Sequence, residues 1–290
     1  YFIPLTEYAY CENSLILIGQ CCSKFIKNEN WSLSYAGSID NYQFNYAILT
    51  NTRLKKVVIT FSGTKKVTQF IEESVKQGGV AIYKDTIKVM KYFAEIYFEL
   101  EKKNFNGILK RILTPYAGYQ VIFLGHSLGG AMASIMALDA VLSKSIVKTK
   151  TSPMILTYGQ PRTGNDIFAN EVMKNIPIVF RVVREGDFIP NMPTCSIATL
   201  FLDHDCKTVL PDQKFDPEYM IPDDDTKKEV IDNFMKWHIG GFIHYNADMT
   251  EYVNCGNEYG DNHKQEGCQL KMSFNPQYHR YFEEFRNAMC

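Results

Sequence analysis

The sequence predicts an α/β fold in which helices flank a mainly parallel central sheet. The chain has 290 residues, of which 46% are hydrophobic, so it is long enough to bury one large core. Short segments rich in β-branched and aromatic residues alternate with longer helical patterns, which is typical of a parallel sheet with crossover helices. We therefore expect a single domain over residues 1–290.

The order of the predicted elements supports this fold. Strands are predicted at residues 42–50, 55–62, 121–124, 153–158 and 177–183. Helices are predicted at residues 1–26, 86–103, 130–142 and 165–174. The pattern degrades over residues 194–237, which contain several prolines and an Asp223–Asp225 run. We interpret this stretch as an excursion from the core, closed by a Cys195–Cys206 bridge.

Composition excludes several classes of function. The 31 Lys and Arg residues nearly balance the 32 Asp and Glu residues, so a nucleic-acid partner is not expected. No apolar run is long enough to form a transmembrane segment. The chain begins at Tyr1 without an initiator Met, and we expect a trimmed mature form.

The eight cysteines lie towards both ends of the sequence and are absent between residues 22 and 195. An even number in this arrangement indicates disulfide bonds and an oxidising compartment. Free buried thiols in a cytosolic enzyme are the alternative. No C-x-x-C pair occurs, so we expect no zinc site.

Residues 121–130, VIFLGHSLGG, carry the strongest functional signal. Four apolar residues are followed by a glycine-flanked Ser127 and then by an Ala-rich helix. This matches the strand–turn–helix context of a G-x-S-x-G nucleophile elbow. A serine held there at a helix N-terminus is placed for nucleophilic attack, with backbone N–H groups available to a developing oxyanion.

A serine nucleophile needs a histidine base and an acid that orients it. In the α/β-hydrolase layout both follow the serine, and the acid lies just past a strand. Asp187 meets this condition after strand 177–183; Glu185 is the nearest alternative, followed by Asp203 and Asp205. Spacing leaves His238, His244 and His279 open as the base, with a modest preference for His279 over His244.

The oxyanion hole requires a second N–H group besides that of Leu128. Strand 55–62 ends in Phe61-Ser62-Gly63-Thr64, where the glycine permits a sharp turn. Thr64 is therefore the candidate, offering both its N–H and its hydroxyl. An ordinary strand-ending turn is the alternative.

The segment after Thr64 has the pattern of a short amphipathic helix. Its apolar face is formed by Val67, Phe70, Ile71 and Val75, and Gly78-Gly79 follows as a possible hinge. We interpret it as a lid that covers the site in water and opens at a lipid surface. A core-facing helix is the alternative.

The chain resembles the class 3 lipases, the family of secreted fungal triacylglycerol lipases and their relatives. The resemblance extends over nearly the whole chain. It rests on Ala9-Tyr10-Cys11, Phe61-Ser62-Gly63-Thr64, GHSLGGA from Gly125, YGQPRTGN from Tyr158, Asp187-Phe188-Ile189-Pro190 and His279-Arg280-Tyr281-Phe282.

The resemblance implies an α/β-hydrolase fold and assigns the site residues. Ser127 is implied as nucleophile, Asp187 as acid and His279 as base, with Thr64 and Leu128 forming the oxyanion hole. His244 then corresponds to a non-catalytic histidine of the family.

The family also implies two disulfide bonds, Cys11–Cys290 and Cys255–Cys268. Cys21 and Cys22 are adjacent where relatives have a spaced pair, so their partners are left open. Ser62 replaces the arginine of the family motif, and Phe70 stands near a lid tryptophan found in many relatives. These departures leave the choice among triacylglycerol, phospholipid and small ester open.

The sequence thus predicts a secreted, monomeric serine ester hydrolase, a triacylglycerol lipase acting at lipid–water interfaces. It needs no cofactor and no metal. A phospholipase A1 or soluble carboxylesterase is the alternative, followed by a catalytically idle lipase-like protein that binds lipid or a partner.

Overall fold

The computed structural model of the protein describes most of the predicted core. The described residues are 2–11, 23–64, 80–84, 86–146, 153–192, 239–257, 268, 276–279 and 281. The residues predicted to form a lid and the predicted excursion at 194–237 lie outside the described ranges.

Ten strands are present in these ranges. In chain order they are β1 (Ser32–Ile39), β2 (Phe44–Asn51), β3 (Lys56–Phe61), β4 (Val80–Lys84), β5 (Ile87–Met90), β6 (Gln120–His126), β7 (Met154–Tyr158), β8 (Ile178–Arg184), β9 (Gly241–Tyr245) and β10 (Tyr252–Asn257). Eight of them form one sheet in the order β1-β2-β3-β6-β7-β8-β9-β10. The five central strands from β3 to β9 run parallel, and the outer pairs are antiparallel. The predicted mainly parallel sheet is therefore confirmed.

The central strands are apolar because both faces of the sheet are covered. In β3, Val57, Ile59 and Phe61 enter one hydrophobic cluster, whereas Val58 enters the cluster on the opposite face. Side chains alternate across a strand, so a strand buried on both sides reads as a continuous apolar run. This explains why the strand signal at 55–62 is strong.

Six α-helices surround the sheet within the described ranges. They are α1 (Ile3–Tyr8), α2 (Ser23–Asn28), α3 (Lys91–Lys102), α4 (Phe105–Leu113), α5 (Leu128–Leu142) and α6 (Asp166–Asn175). Helix α5 packs on β6, β3 and β7, and α1 lies against β3 and β6 on the opposite face. Helix α5 is buried over almost its whole length, which explains its apolar sequence.

The helix predicted over 86–103 is partly wrong. Residues Ile87–Met90 form β5, which pairs with β4 in a two-stranded antiparallel sheet, and the helix begins at Lys91. Helix α4, strand β1 and the β4–β5 hairpin have no counterpart among the predicted elements. A short apolar run is compatible with either helix or strand, and periodicity alone does not separate them.

One predicted disulfide is present within the described residues. Cys255 and Cys268 are bonded, with their Cα atoms 5.7 Å apart. Cys11 is also disulfide-bonded, but the pairing implied for it, with Cys290, lies outside the described residues. So do Cys21 and Cys22.

Two kinds of feature are absent from the described ranges. No helix there has the length and apolar character needed to cross a bilayer. No group of three or more His, Cys, Asp and Glu side chains is arranged there to hold a metal ion.

Candidate active site

Ser127 occupies a tight turn between β6 and α5, as the sequence predicts. Its backbone has φ 56° and ψ −127°, a region that residues other than glycine rarely adopt. The Ser127 N–H donates to the Tyr158 carbonyl on the neighbouring strand at 2.9 Å. Its side chain makes no capping hydrogen bond to the helix. The Ser127 hydroxyl is therefore not tied to the N-terminus of α5.

The two glycines that flank Ser127 are required by close backbone packing. A β-carbon on Gly125 would overlap the backbone of Gly129, and one on Gly129 would overlap the carbonyl of Phe61. The missing side chains therefore let β6, β3 and the first turn of α5 approach closely. The turn around Ser127 therefore requires glycine at both positions.

The structure brings Asp187 and His279 together at the same edge of the sheet. Nδ1 of His279 lies 2.9 Å from Oδ2 and 3.0 Å from Oδ1 of Asp187. Both side chains are buried. The backbone N–H of Ile189 donates to Oδ1 of Asp187 at 2.9 Å, which fixes the orientation of the carboxylate.

This contact determines the state of the His279 ring. A carboxylate only accepts hydrogen bonds, so Nδ1 of His279 carries the proton that it donates to Asp187. The lone pair is then on Nε2, which is buried and has no hydrogen-bond partner among the described residues. A buried, unpaired imidazole nitrogen of this kind is suited to accept a proton.

Tyr281 is a member of the site that the sequence reasoning did not assign. Its hydroxyl lies 2.7 Å from Oδ2 of Asp187. Burial first, and the charge of Asp187 second, raise the pKa of Tyr281, so its hydroxyl remains a donor. The only sequence signal was its position two residues after His279, within the matched C-terminal motif.

His126 links the serine turn to the histidine segment. Its ring stacks on that of His279, with the centroids 4.5 Å apart. It immediately precedes Ser127, so this contact holds the serine turn beside the proposed base.

The predicted oxyanion residues lie beside the turn. A β-carbon on Gly63 would lie 3.0 Å from Cβ of Ser127, so the loop ending in Thr64 runs alongside the serine. Oγ1 of Thr64 is buried and has no hydrogen-bond partner among the described residues. Leu128 opens α5, where the first N–H groups of a helix have no intrahelical partner.

The other candidates lie elsewhere or outside the described residues. His244 lies on β9 in register with Val183 and Val253, next to the cluster that contains Cys255. It is His279, not His244, that contacts Asp187. Val67, Phe70, Ile71 and Val75, the predicted lid residues, are not described.

Comparison with known proteins identifies similar sequences. Residues 58–197 match the family model described as lipase (class 3). The lipase of Rhizomucor miehei is 26% identical over 200 residues, which cover 69% of this chain and 54% of that protein. A secreted mono- and diacylglycerol lipase of Malassezia restricta is 33% identical over 113 residues, covering 38% of this chain and 35% of that protein. The chain thus spans about half, or less, of the length of these curated relatives.

Comparison of structures identifies the fold. The crystal structure of a mono- and diacylglycerol lipase from Aspergillus oryzae superposes with a TM-score of 0.65, covering 96% of this chain and 92% of the other. Only 14% of the aligned residues are identical, so this likeness bears on the fold alone. Together with the parallel sheet, it confirms the predicted α/β-hydrolase fold.

Proposed function

We propose that the chain, whose residues 58–197 match the class 3 lipase model, is a serine ester hydrolase with Ser127 as nucleophile. His279 is the general base, and Asp187 orients it. The observation that carries the proposal is the buried Asp187–His279 pair. Nε2 of His279 has no hydrogen-bond partner among the described residues, and the His279 ring lies against that of His126, the residue that precedes Ser127.

In the proposed reaction Ser127 and His279 act in two successive half-reactions, acylation and deacylation. As Oγ of Ser127 attacks the ester carbonyl carbon, its proton passes to Nε2 of His279 and a tetrahedral oxyanion forms. The same proton then passes to the leaving alcohol oxygen as the C–O bond breaks, which leaves an acyl-Ser127. Water attacks this ester with His279 again accepting the proton, and release of the carboxylic acid regenerates Ser127.

The Asp187 carboxylate contributes at the point where His279 becomes charged. Its hydrogen bond to Nδ1 holds the ring in the tautomer that exposes Nε2, and its negative charge stabilises the imidazolium. Both groups are buried, so this interaction is weakly screened by solvent.

Thr64 and Leu128 form the oxyanion hole in this proposal. The N–H of Leu128 points out of the first turn of α5, where the helix dipole adds to its attraction for negative charge. The unpaired Oγ1 of Thr64 supplies a further donor. Losing one such donor typically costs about 100- to 1,000-fold in rate.

The proposed substrate is an acylglycerol presented at a lipid–water interface. The support is the family, together with the acylglycerol lipase from Malassezia among the relatives. We further propose that the protein is secreted. The disulfide bonds at Cys255–Cys268 and at Cys11 suit an oxidising compartment.

The proposal is tested by titrating acid release from a medium-chain triacylglycerol below and above its solubility limit. Ser127→Ala is the inactive variant. Ser134→Ala is the matched control, because Ser134 is a buried serine of α5, the helix that follows Ser127, and its hydroxyl donates to the Ala131 carbonyl. Labelling with an active-site phosphonate, followed by mass spectrometry, locates the reactive serine.

Each outcome distinguishes one function. A rate that rises sharply when emulsion forms, and is lost only in Ser127→Ala, supports an interfacial lipase. Saturation below the solubility limit without a rise indicates a soluble carboxylesterase. Acid release from phosphatidylcholine vesicles alone indicates a phospholipase. No phosphonate label on Ser127 contradicts the proposed ester hydrolase.

A further inference from the structure

Two hydrogen bonds join the N-terminal segment to the proposed base through His126. The hydroxyl of Tyr10, two residues past the end of α1, lies 2.5 Å from Nδ1 of His126. Nε2 of His126 lies 2.9 Å from the backbone carbonyl oxygen of His279. The planes of the two stacked histidine rings are inclined by only 31°.

The chemistry of these groups fixes the tautomer of His126. A backbone carbonyl only accepts, so Nε2 of His126 carries the hydrogen that it donates to His279. In a neutral ring Nδ1 is then the acceptor, and the Tyr10 hydroxyl donates to it. One neutral tautomer satisfies both contacts, whereas a protonated His126 would donate from Nδ1 and the Tyr10 hydroxyl would have to turn and accept.

We infer that Tyr10 and His126 are positioning residues, which hold the backbone of His279 and keep an uncharged ring stacked on the ring that becomes imidazolium. The inference rests on the proposed function of His279. In this arrangement Tyr10 acts through His126, and His126 acts on the orientation and the electrostatic environment of the base.

The surroundings of His126 favour its uncharged form. Among the described residues, the titratable groups that face it include Tyr10 from the N-terminal segment, Tyr158 beside it on β7, and His279 and Tyr281 from the C-terminal segment. Burial first, and the proximity of His279 second, lower the pKa of His126 well below its ordinary value. A positive charge at this point would oppose the imidazolium that forms during acylation.

The N-terminal segment also touches the other side of the site. A β-carbon on Gly63 would overlap the Tyr10 hydroxyl, so this hydroxyl lies against the loop that leads to Thr64. The segment is anchored next to this contact, because the Cys11 carbonyl accepts from Nδ2 of Asn45 at 3.1 Å and Cys11 is disulfide-bonded. Tyr10 therefore has a fixed position between the oxyanion loop and His126.

The kinetic test uses Tyr10→Phe, His126→Gln, His126→Leu and the double variant Tyr10→Phe/His126→Gln. Rates are measured on a soluble p-nitrophenyl ester and normalised to sites titrated by phosphonate. We expect Tyr10→Phe to lower kcat on the order of tenfold with KM unchanged. Tyr10 contacts Nδ1, the nitrogen at which His126 would gain a proton, so removal of its hydroxyl should also shift the acid limb of the pH profile.

The conservative variants separate positioning from general stability. Glutamine retains an N–H donor near the position of Nε2 but does not titrate, so His126→Gln should exceed His126→Leu in kcat by on the order of tenfold. The double variant should recover the acid limb of the unmodified protein, because the ring of His126 is no longer there to titrate and His279 is unchanged. Tyr46→Phe, which removes a hydroxyl from a buried tyrosine of β2, is the control.

The inference is overturned if Tyr10→Phe keeps the kcat and the pH profile of the unmodified protein, or if His126→Gln and His126→Leu are equally active. A second measurement is independent of turnover. The nitrogen shifts of His126 in histidine-labelled protein should report the Nε2–H tautomer, and Tyr10→Phe should disturb it. If this tautomer is present while no ester is hydrolysed, the proposed function fails but the hydrogen-bonded arrangement stands. A different tautomer contradicts the arrangement itself.

Discussion

Tyr281 and His279 share the carboxylate of Asp187: the tyrosine hydroxyl donates to Oδ2 at 2.7 Å, and Nδ1 of the histidine lies 2.9 Å from the same oxygen. The Tyr281 oxygen in turn accepts from the backbone N–H of Arg184 at 3.0 Å. A carboxylate held by several hydrogen-bond donors keeps one orientation. The hydroxyl of Tyr281 is therefore part of what aligns His279.

We expect Tyr281→Phe to lower kcat on a soluble ester about tenfold and to leave KM within about twofold, since a hydrogen bond to a charged group is lost. The phenyl ring can still pack against Tyr158 and His126, whose rings lie 6.1 and 5.4 Å from that of Tyr281. Steady-state kinetics with Tyr46→Phe as control measure the effect. Equal kcat values for the two variants would show that the hydroxyl of Tyr281 does not position Asp187.

Gly159 lies so close to the acid–base pair that it tolerates no side chain. Its φ is +55°, and a β-carbon there would lie 2.8 Å from both Oδ2 of Asp187 and Cε1 of His279. We expect Gly159→Ala to reduce kcat/KM at least 100-fold, because a displacement of this size separates the pair.

The matched control for this substitution is Gly118→Ala. Gly118 also has a positive φ, of +90°, but a β-carbon there would meet nothing within 4 Å. It should cost about 1 kcal/mol of stability through backbone strain and leave activity unchanged. Both variants are compared by urea denaturation and ester hydrolysis. A similar loss of activity in both would attribute the effect at Gly159 to backbone strain alone.

The unpaired hydroxyl of Thr64 predicts opposite effects on stability and activity. Thr64→Val keeps the shape and the backbone N–H but removes the buried Oγ1, so folding should become slightly more favourable. If this hydroxyl stabilises the oxyanion, kcat should fall about 100-fold, and Thr64→Ser should retain most of the activity.

Thr60 offers the same substitution away from the proposed chemistry. Its Oγ1 on β3 is likewise buried and has no partner among the described residues. Thr60→Val should therefore stabilise the fold to a similar extent while kcat stays the same. A full kcat in Thr64→Val, measured under the same conditions, would leave the oxyanion to backbone donors only.

The sequence predicts best those parts of the site whose residues lie close together along the chain. The Ser127 turn is encoded within ten residues, because a strand, two glycines and a helix are contiguous in the sequence. Asp187 and His279 are 92 positions apart, and spacing alone left His244 open. The family resemblance selected His279, and the contact with Asp187 agrees with that choice.

Contacts between distant segments were not predictable from any local pattern. Tyr10 and His126 are separated by 116 positions, and neither residue type signals the other. The sequence pattern does not reveal the β4–β5 hairpin, for a different reason. Ile87–Met90 continues without a break into the amphipathic helix α3, so its apolar residues were counted in the helical period.

The lowered pKa of His126 predicts that the free energy of unfolding of the protein decreases at acid pH. An unfolded histidine binds a proton near pH 6.5, whereas folded His126 stays neutral to lower pH because burial and His279 oppose its charge. Between these two pKa values the unfolded state binds more protons, so the free energy of unfolding decreases as pH falls below about 6.5. One such group contributes a slope of up to about 1.4 kcal/mol per pH unit, and the partial solvent exposure of His126 makes this an upper limit.

His126→Gln removes this dependence, because glutamine does not titrate. We expect its free energy of unfolding, measured by urea denaturation from neutral pH down into the acid range, to fall less steeply than that of the unmodified protein below about pH 6.5. Above that pH the two curves should run parallel, since His126 is neutral in both the folded and the unfolded state. Curves that stay parallel over the whole range would mean that His126 has the same pKa in both states, and that the ring of His279 does not oppose its charge.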